Sequence, residues 1–305
     1  MKTNYEVVIV GGGPAGLSAG IYAARARLNT LLIERALFGG QMCNAELIEN
    51  YPGFPDGISG YELGQHMEKQ AHKFGLTTIT AEVTAVDFSQ ETKLGKTTEG
   101  DFTAKAVILA MGSERSKVGV PGEAEFTGKG VSYCATCDAA FFADRNVAVL
   151  GGGNSAINEA LQLTNFATKV IIIHRRHELR ATRILQEKAL AEPKIEFLWD
   201  TVVEEIQGDT TVKQLNLKNV VTGKKSTLEV AGVFVAIGQQ PSTSFLAGVL
   251  ALDEYGYFVT NDKMETTVPG VFAAGDIRQT SIRQSITAAG DGATAAVYAE
   301  RFLRH

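Results

Sequence analysis

Four apolar residues, Val7-Val8-Ile9-Val10, run unbroken into Gly11-Gly12-Gly13-Pro14-Ala15-Gly16. A short apolar run closed by glycines reads as a strand buried on both faces, and the glycine turn leads into a helix. The same order recurs 140 positions later, where Val147-Ala148-Val149-Leu150 enters Gly151-Gly152-Gly153-Asn154-Ser155-Ala156. The match continues without a gap, since Leu31-Leu32-Ile33-Glu34 falls on Ile171-Ile172-Ile173-His174. Each copy is predicted to be a βαβ unit with parallel strands on either side of a helix. A right-handed crossover then puts the helix N-terminus at the carboxyl ends of the strands, where dinucleotides bind.

A second pair of buried-strand patterns closes each half. Ala106-Val107-Ile108-Leu109-Ala110-Met111-Gly112 resembles Val233-Phe234-Val235-Ala236-Ile237-Gly238. Beyond them, Gly270-Val271-Phe272-Ala273-Ala274-Gly275-Asp276 forms a further strand, and a small-residue helix is expected from about Gln284 to Phe302. The economical arrangement is nested. One α/β, Rossmann-like (three-layer) nucleotide-binding domain spans 1–114 and 243–305, and a second, 115–242, is inserted into it. The crossings, near Ser113–Gly122 and Gly238–Ser244, would form a two-stranded linker able to act as a hinge.

Composition narrows the classes. A chain of 305 residues is about right for two domains, and an apolar share of 45% supports well-buried cores. The net charge of -5 argues against nucleic acid as a main partner, because phosphate backbones need a basic footprint. Three cysteines cannot make a paired structural framework, so reduced thiols with one special pair fit better. The apolar run at 7–10 is too short for a secretory core, and no stretch approaches the ~20 apolar residues of a membrane span. A cytoplasmic protein that engages neither membrane nor nucleic acid is expected.

In the first fingerprint, Gly11 permits the tight turn, Gly13 lets the backbone approach a pyrophosphate, and Gly16 lets helix and strand pack closely. The helix N-terminus offers free N–H groups to the anion. Glu34, ending the next strand, suits a ribose hydroxyl pair. Gly39-Gly40-Gln41, Gly275-Asp276 and Arg283-Gln284 spread further turns and polar groups along the chain, as a large ligand such as FAD requires. Singly, each is also an ordinary turn or cap residue.

The second fingerprint, Gly151, Gly153 and Ala156, differs downstream. Where the first has Glu34, the second has His174, followed by Arg175-Arg176-His177-Glu178-Leu179-Arg180. An acid would repel a 2′-phosphate, whereas guanidinium groups pair with it, so the pattern points to NADP rather than NAD. A solvated basic face is the alternative.

Between the fingerprints lies Cys134-Ala135-Thr136-Cys137-Asp138. Zinc needs four ligands, and Cys43 is the one cysteine left, so no metal is expected. Two cysteines on one helical turn can close and reopen a disulfide, and Asp138 stands beside them to exchange a proton. Cys43 reads as a small packing residue.

These signatures together resemble the bacterial-type, low-molecular-weight thioredoxin reductases over essentially the whole length. They are GGGPAG at 11–16, GGQ at 39–41, CATCD at 134–138, GGGNSA at 151–156, HRRxxxR at 174–180, GVFAAGD at 270–276 and RQ at 283–284. The resemblance implies a homodimer with an FAD domain and an NADPH domain carrying the dithiol, and a domain that turns on its linker. It implies electron flow from NADPH through FAD and the Cys134–Cys137 disulfide to oxidised thioredoxin. It makes Cys137 the flavin-proximal sulfur, Cys134 the attacking thiol and Asp138 the acid–base residue. It also assigns Pro14, Ala15, Asn50, Val83, Ala110 and Gly112 to the flavin side. On the NADPH side it assigns Asn154, Ser155, His174, Arg175, Arg176, Arg180, Ile237 and Gly238. Three other readings of the same fold stay open: a ferredoxin-dependent enzyme, a small-molecule dithiol oxidase, and a flavin-binding redox sensor.

Overall fold

In the computed structural model, residues 3–45, 47–246 and 248–304 are described. The chain opens with β1 (Asn4–Val10), α1 (Pro14–Arg25) and β2 (Thr30–Glu34). Pro14 sits at the first turn of α1, where its missing N–H costs nothing. Next come α2 (Gly60–Lys73), β3 (Thr77–Thr80), β4 (Val83–Asp87), β5 (Lys93–Thr97) and β6 (Gly100–Leu109). The Ser59 hydroxyl caps α2 by accepting from the Glu62 amide. After β7 (Ser113–Arg115) the second unit contains β8 (Val131–Ser132), α3 (Ala135–Asp138), β9 (Asn146–Leu150), α4 (Asn154–Leu163) and β10 (Lys169–Ile173). It continues with α5 (Arg183–Ala191), β11 (Ile195–Leu198), β12 (Thr201–Gly208), β13 (Val212–Asn219), β14 (Lys225–Glu229) and β15 (Gly232–Val235). The chain returns through β16 (Gln239–Pro241) to β17 (Val271–Ala273) and α6 (Ser285–Leu303).

Two compact units result, Met1–Glu114 with Gln240–His305, and Arg115–Gln239. The connecting segments β7 and β16 pair as a two-stranded sheet. In the first unit the strand order is β3-β2-β1-β6-β5-β4, with β17 also on β6. The strands β1, β2, β3, β6 and β17 run parallel, and β4 and β5 add an antiparallel edge. In the second unit β11-β10-β9-β15-β8 is parallel throughout.

The sequence repeat is also a repeat of register. Val10 lies opposite Ile33, and Leu150 opposite Ile173, both pairs 140 positions apart. Successive side chains of each strand supply opposite faces. Val7 and Ile9 pack against residues of α1, α2 and α6, whereas Val8 and Val10 join Phe102, Phe258 and Leu246. In the second unit Val147 and Val149 meet α4, whereas Ala148 and Leu150 meet the antiparallel sheet β12-β13-β14 through Val203, Leu215 and Leu217. Each parallel sheet is thus covered on both sides, which is why its strands are apolar without alternation. Both are three-layer α/β units of Rossmann type.

Candidate functional site

The first glycine turn is held by sterics. Gly11 adopts φ +104°, and a Cβ there would lie 2.4 Å from the Ala110 carbonyl oxygen. Its amide donates to the Ile33 carbonyl at 2.8 Å, and α1 begins where Leu17 donates to the Gly13 carbonyl at 2.9 Å. A Cβ on Gly16 would lie 1.8 Å from the Gly11 carbonyl oxygen, so strand and helix approach as closely as backbones allow. At Gly13 a Cβ would meet nothing within 4 Å. Open space thus lies before free amides at a helix start, as a pyrophosphate requires.

Glu34 is 9% exposed. One carboxylate oxygen accepts from the Gly12 amide at 2.6 Å and the other from the Ala36 amide at 2.9 Å. Lone pairs remain on both oxygens for ribose hydroxyls. The Gly39-Gly40-Gln41 turn packs on the fingerprint, with the Gly39 amide donating to the Gly12 carbonyl at 2.8 Å. A Cβ on Gly40 would come within 3.1 Å of Gly13 Cα, and the Gln41 side chain donates to the Ser113 carbonyl. Asn50 Nδ2 donates to Gln284 Oε1 at 3.2 Å, joining two positions 234 residues apart. Gln284 also caps α6 in a reciprocal box with Thr287.

Arg283 adopts φ +63°, and its guanidinium lies 4.8 Å from the centre of the Tyr257 ring. Its Nε is buried and has no hydrogen-bond partner among the described residues. Asp276 lies in a short turn after Gly275 and accepts from the Ser281 hydroxyl at 3.2 Å. The Ala110 amide donates to the Val10 carbonyl at 2.7 Å, and Gly112 takes φ +68°. Val83 opens β4, two residues past Ala81, whose amide donates to the Glu34 carbonyl at 2.8 Å. Pro14 and Ala15 form the first turn of α1. An open glycine cradle, a buried acid and a cation whose buried Nε lacks a hydrogen-bond partner among the described residues fit a dinucleotide.

The second cradle repeats this geometry. Gly151 takes φ +146°, its amide donates to the Ile173 carbonyl at 3.2 Å, and Ile157 donates to the Gly153 carbonyl at 3.1 Å. A Cβ at Gly153 again meets nothing within 4 Å. The carbonyl of Gly152 accepts from the amides of Arg180 (2.7 Å) and Ala181 (3.1 Å), which folds the arginine turn back over the fingerprint. Asn154 Oδ1 accepts from the Thr182 amide at 2.8 Å, Ser155 is exposed, and Ala156 packs under Gly151. Gly238 takes φ +129° and its carbonyl accepts from the Ser116 amide at 3.0 Å, beside the exposed Ile237.

The imidazole of His174 occupies the place of the Glu34 carboxylate. A Cβ on Gly152 would lie 2.4 Å from this ring, as one on Gly12 would lie 2.9 Å from Glu34 Cβ. Burial pushes the His174 pKa down, and the charges of Arg180, Arg176 and Arg175 push the same way, against a hydrogen bond to the Glu178 backbone. The ring is therefore neutral, and its buried Nε2 has no partner among the described residues. Arg175, Arg176 and Arg180 are exposed, and none pairs with a carboxylate among the described residues.

The cysteine pair lies at the start of α3 in this same unit, with Cys134 as its N-cap and Cys137 within it. Cys134 and Cys137 form a disulfide with Cα atoms 5.3 Å apart. Cys134 is half-buried and its Sγ accepts from the Cys137 amide at 3.2 Å, whereas Cys137 is exposed. The buried Ser132 hydroxyl accepts from the Cys134 amide at 3.1 Å and donates to Asp138 Oδ2 at 2.6 Å. Burial pushes the Asp138 carboxyl up, while the Ser132 hydroxyl and the charge of Arg115 pull it down.

A second acid stands beside the pair, and sequence reasoning missed it. Glu159, on α4, accepts from the Ala135 amide, between the two cysteines. Burial raises its pKa to about 7, opposed by Arg115 and by that amide. Its Oε2 is buried without a partner among the described residues. The available signal was a carboxylate on the buried face of α4, which also carries Ala156, Ala160 and Leu163. The third cysteine, Cys43, is a free thiol in a slot between Gly39 and Gly64, and its Sγ donates to the Phe38 carbonyl at 3.4 Å. The described residues hold no cluster of side chains able to bind a metal ion. No described helix is long and apolar enough to cross a membrane.

The family model for pyridine nucleotide-disulphide oxidoreductases matches residues 5–292. The thioredoxin reductase of Peptoclostridium litorale is 48% identical, over 99% of this chain and 98% of its own length. That of Bacillus subtilis is 47% identical, over 98% and 95%. The crystal structure of thioredoxin reductase from Streptococcus pyogenes superposes with a TM-score of 0.96 at 44% identity, covering 100% of this chain and 99% of that one.

Proposed function

The chain belongs to the pyridine nucleotide-disulphide oxidoreductase family, among its bacterial-type thioredoxin reductases, and on that premise we propose that it reduces oxidised thioredoxin with NADPH, using bound FAD. The observation that carries this reading is a disulfide, Cys134–Cys137, flanked by acids, in the unit that holds the second cradle. FAD, when bound, supplies the step that converts a hydride into an electron pair for a disulfide. The first cradle would hold it, with Gly11, Gly13 and Gly16 around the pyrophosphate, Glu34 on a ribose, and Asn50, Asp276, Arg283 and Gln284 further along. The second would hold NADPH, with Arg175, Arg176 and Arg180 on the 2′-phosphate. Three exposed guanidinium groups without a carboxylate partner among the described residues, next to a neutral His174 in place of an acid, support NADPH over NADH.

In the reduced dithiol, the Cys134 thiolate attacks the thioredoxin disulfide, forming a mixed disulfide and releasing one thioredoxin thiolate. Cys137 then attacks Cys134 Sγ, which re-forms the intramolecular disulfide and frees the second thiolate. Asp138, held by Ser132, exchanges the protons. A cytoplasmic homodimer is part of the same proposal. Cys134→Ser should abolish thioredoxin reduction while anaerobic NADPH still bleaches the flavin absorbance. Retained thioredoxin reduction by this variant would overturn the assignment. In the unaltered protein, bleaching should consume about two equivalents of NADPH, one for the flavin and one for the disulfide.

A further inference from the structure

The arginine turn is strapped to a corner that no nucleotide fingerprint includes. The corner is Trp199-Asp200, between β11 and β12. Asp200 has φ +52°, in the left-handed region that side chains other than glycine seldom adopt. Every polar group of this residue is engaged. Its amide donates to the Arg176 carbonyl at 3.4 Å, its carbonyl accepts from the Val220 amide at 2.6 Å, and its carboxylate lies 3.0 Å from His177 Nδ1. On either side, the His174 amide donates to the Leu198 carbonyl at 3.0 Å, and the Thr201 amide donates to the His174 carbonyl at 2.9 Å.

Trp199, the only tryptophan of the chain, closes the corner from the other side. Its indole stacks on Phe197 with centroids 4.8 Å apart and planes 4° apart, and it lies 6.3 Å from the His177 ring. Its carbonyl accepts from the Thr201 hydroxyl at 2.6 Å. A backbone in an uncommon conformation persists where its surroundings over-determine it, and such places cluster at functional sites.

We propose that Asp200 is a positioning residue for 2′-phosphate selectivity: by clamping Arg176 and His177 it holds the turn that presents Arg175, Arg176 and Arg180. The proposal rests on NADPH as the donor. It has an electrostatic signature of its own. A carboxylate beside a phosphate site repels the phosphate, so if Asp200 acted only through its charge, removing it would tighten NADPH. If it acts by clamping the turn, removing it weakens NADPH and leaves NADH, which lacks the 2′-phosphate, unaffected.

The test is steady-state kinetics of the flavin-loaded enzyme with NADPH and with NADH. Asp200→Gly tolerates the left-handed backbone while deleting the side chain. It should raise the KM for NADPH about tenfold, leaving kcat, flavin content and the KM for NADH unchanged. Asp200→Asn, which suits the same backbone and keeps a hydrogen-bonding side chain, should restore most of the loss. His177→Ala, a change at an exposed ring on the other half of the clamp, should move the NADPH KM in the same direction by about threefold. An unchanged or lower NADPH KM in Asp200→Gly, or equal rises for both nucleotides, overturns the proposal. A wild-type enzyme with no preference for NADPH overturns the donor assignment instead, and the clamp with it.

Discussion

The two glycine cradles are one design with two readouts. Turn, strand register and helix start coincide at a spacing of 140 residues. They differ in the side chain beneath the second glycine. Glu34 answers the Gly12 amide with a carboxylate, and His174 lies under Gly152 as a neutral ring. The helices differ too. Glu159 stands where the first copy has the fully buried Ala19. The shared backbone chemistry is what a pyrophosphate would need, and the departures from the repeat mark where the copies would differ in what they do. A duplicated scaffold can therefore be interrogated by asking where its copies stop agreeing.

Filling one cradle at a time should separate the copies most sharply. Gly13 and Gly153 have extended backbones that accept a side chain, and open space faces each. Gly13→Val should yield a folded protein without flavin and without activity, read from the absorbance of the purified protein. Gly153→Val should keep its flavin and lose saturable NADPH reduction. Loss of flavin from Gly153→Val would mean that the copies are not independent sites.

Exchanging the readouts is the next largest change. His174→Glu places in the second copy the acid of the first, with the Gly152 amide available to it. The ratio of kcat/KM for NADPH over NADH should fall at least tenfold, an effect of about 1.4 kcal/mol or more. A ratio that stays put would show that the arginines alone set the selectivity.

A last expected effect is on stability and concerns Glu159. Burial raises its pKa from 4.5 to about 7, so between those values the native state holds a proton that the unfolded chain has released. Stability from this group is therefore full below about pH 4.5, falls as pH rises, and levels off above about pH 7. Glu159→Gln does not titrate. Its stability relative to the wild type should rise by on the order of 2 kcal/mol between pH 4.5 and 8, measured by urea unfolding. A pH-independent difference would mean that the carboxyl is hydrated in the native protein.

Much of the candidate site was legible because its signals are local. Glycines at fixed spacing report backbone approaches that no other residue permits, and Cys134 and Cys137 sit one helical turn apart whatever surrounds them. Glu34 and His174 were comparable because the repeat carries no gap between fingerprint and second strand. Asp200 and Trp199 escaped notice because their meaning lies in contacts with a turn more than twenty residues earlier. Tyr257 under Arg283 escaped for the same reason, and Ser132 because a serine hydroxyl has no sequence signature of what it will meet.

The sequence by itself determined two parallel α/β units, the glycine turns that leave open space at two helix starts, and the redox character of the cysteine pair. These follow from sterics and periodicity, which act over a few residues. Only the tertiary structure decided that the Glu159 carboxyl is buried against the dithiol, that His174 is kept neutral, and that Asp200 clamps the arginine turn. Burial and charge proximity are properties of packed neighbours, and neighbours distant in sequence are chosen by the fold.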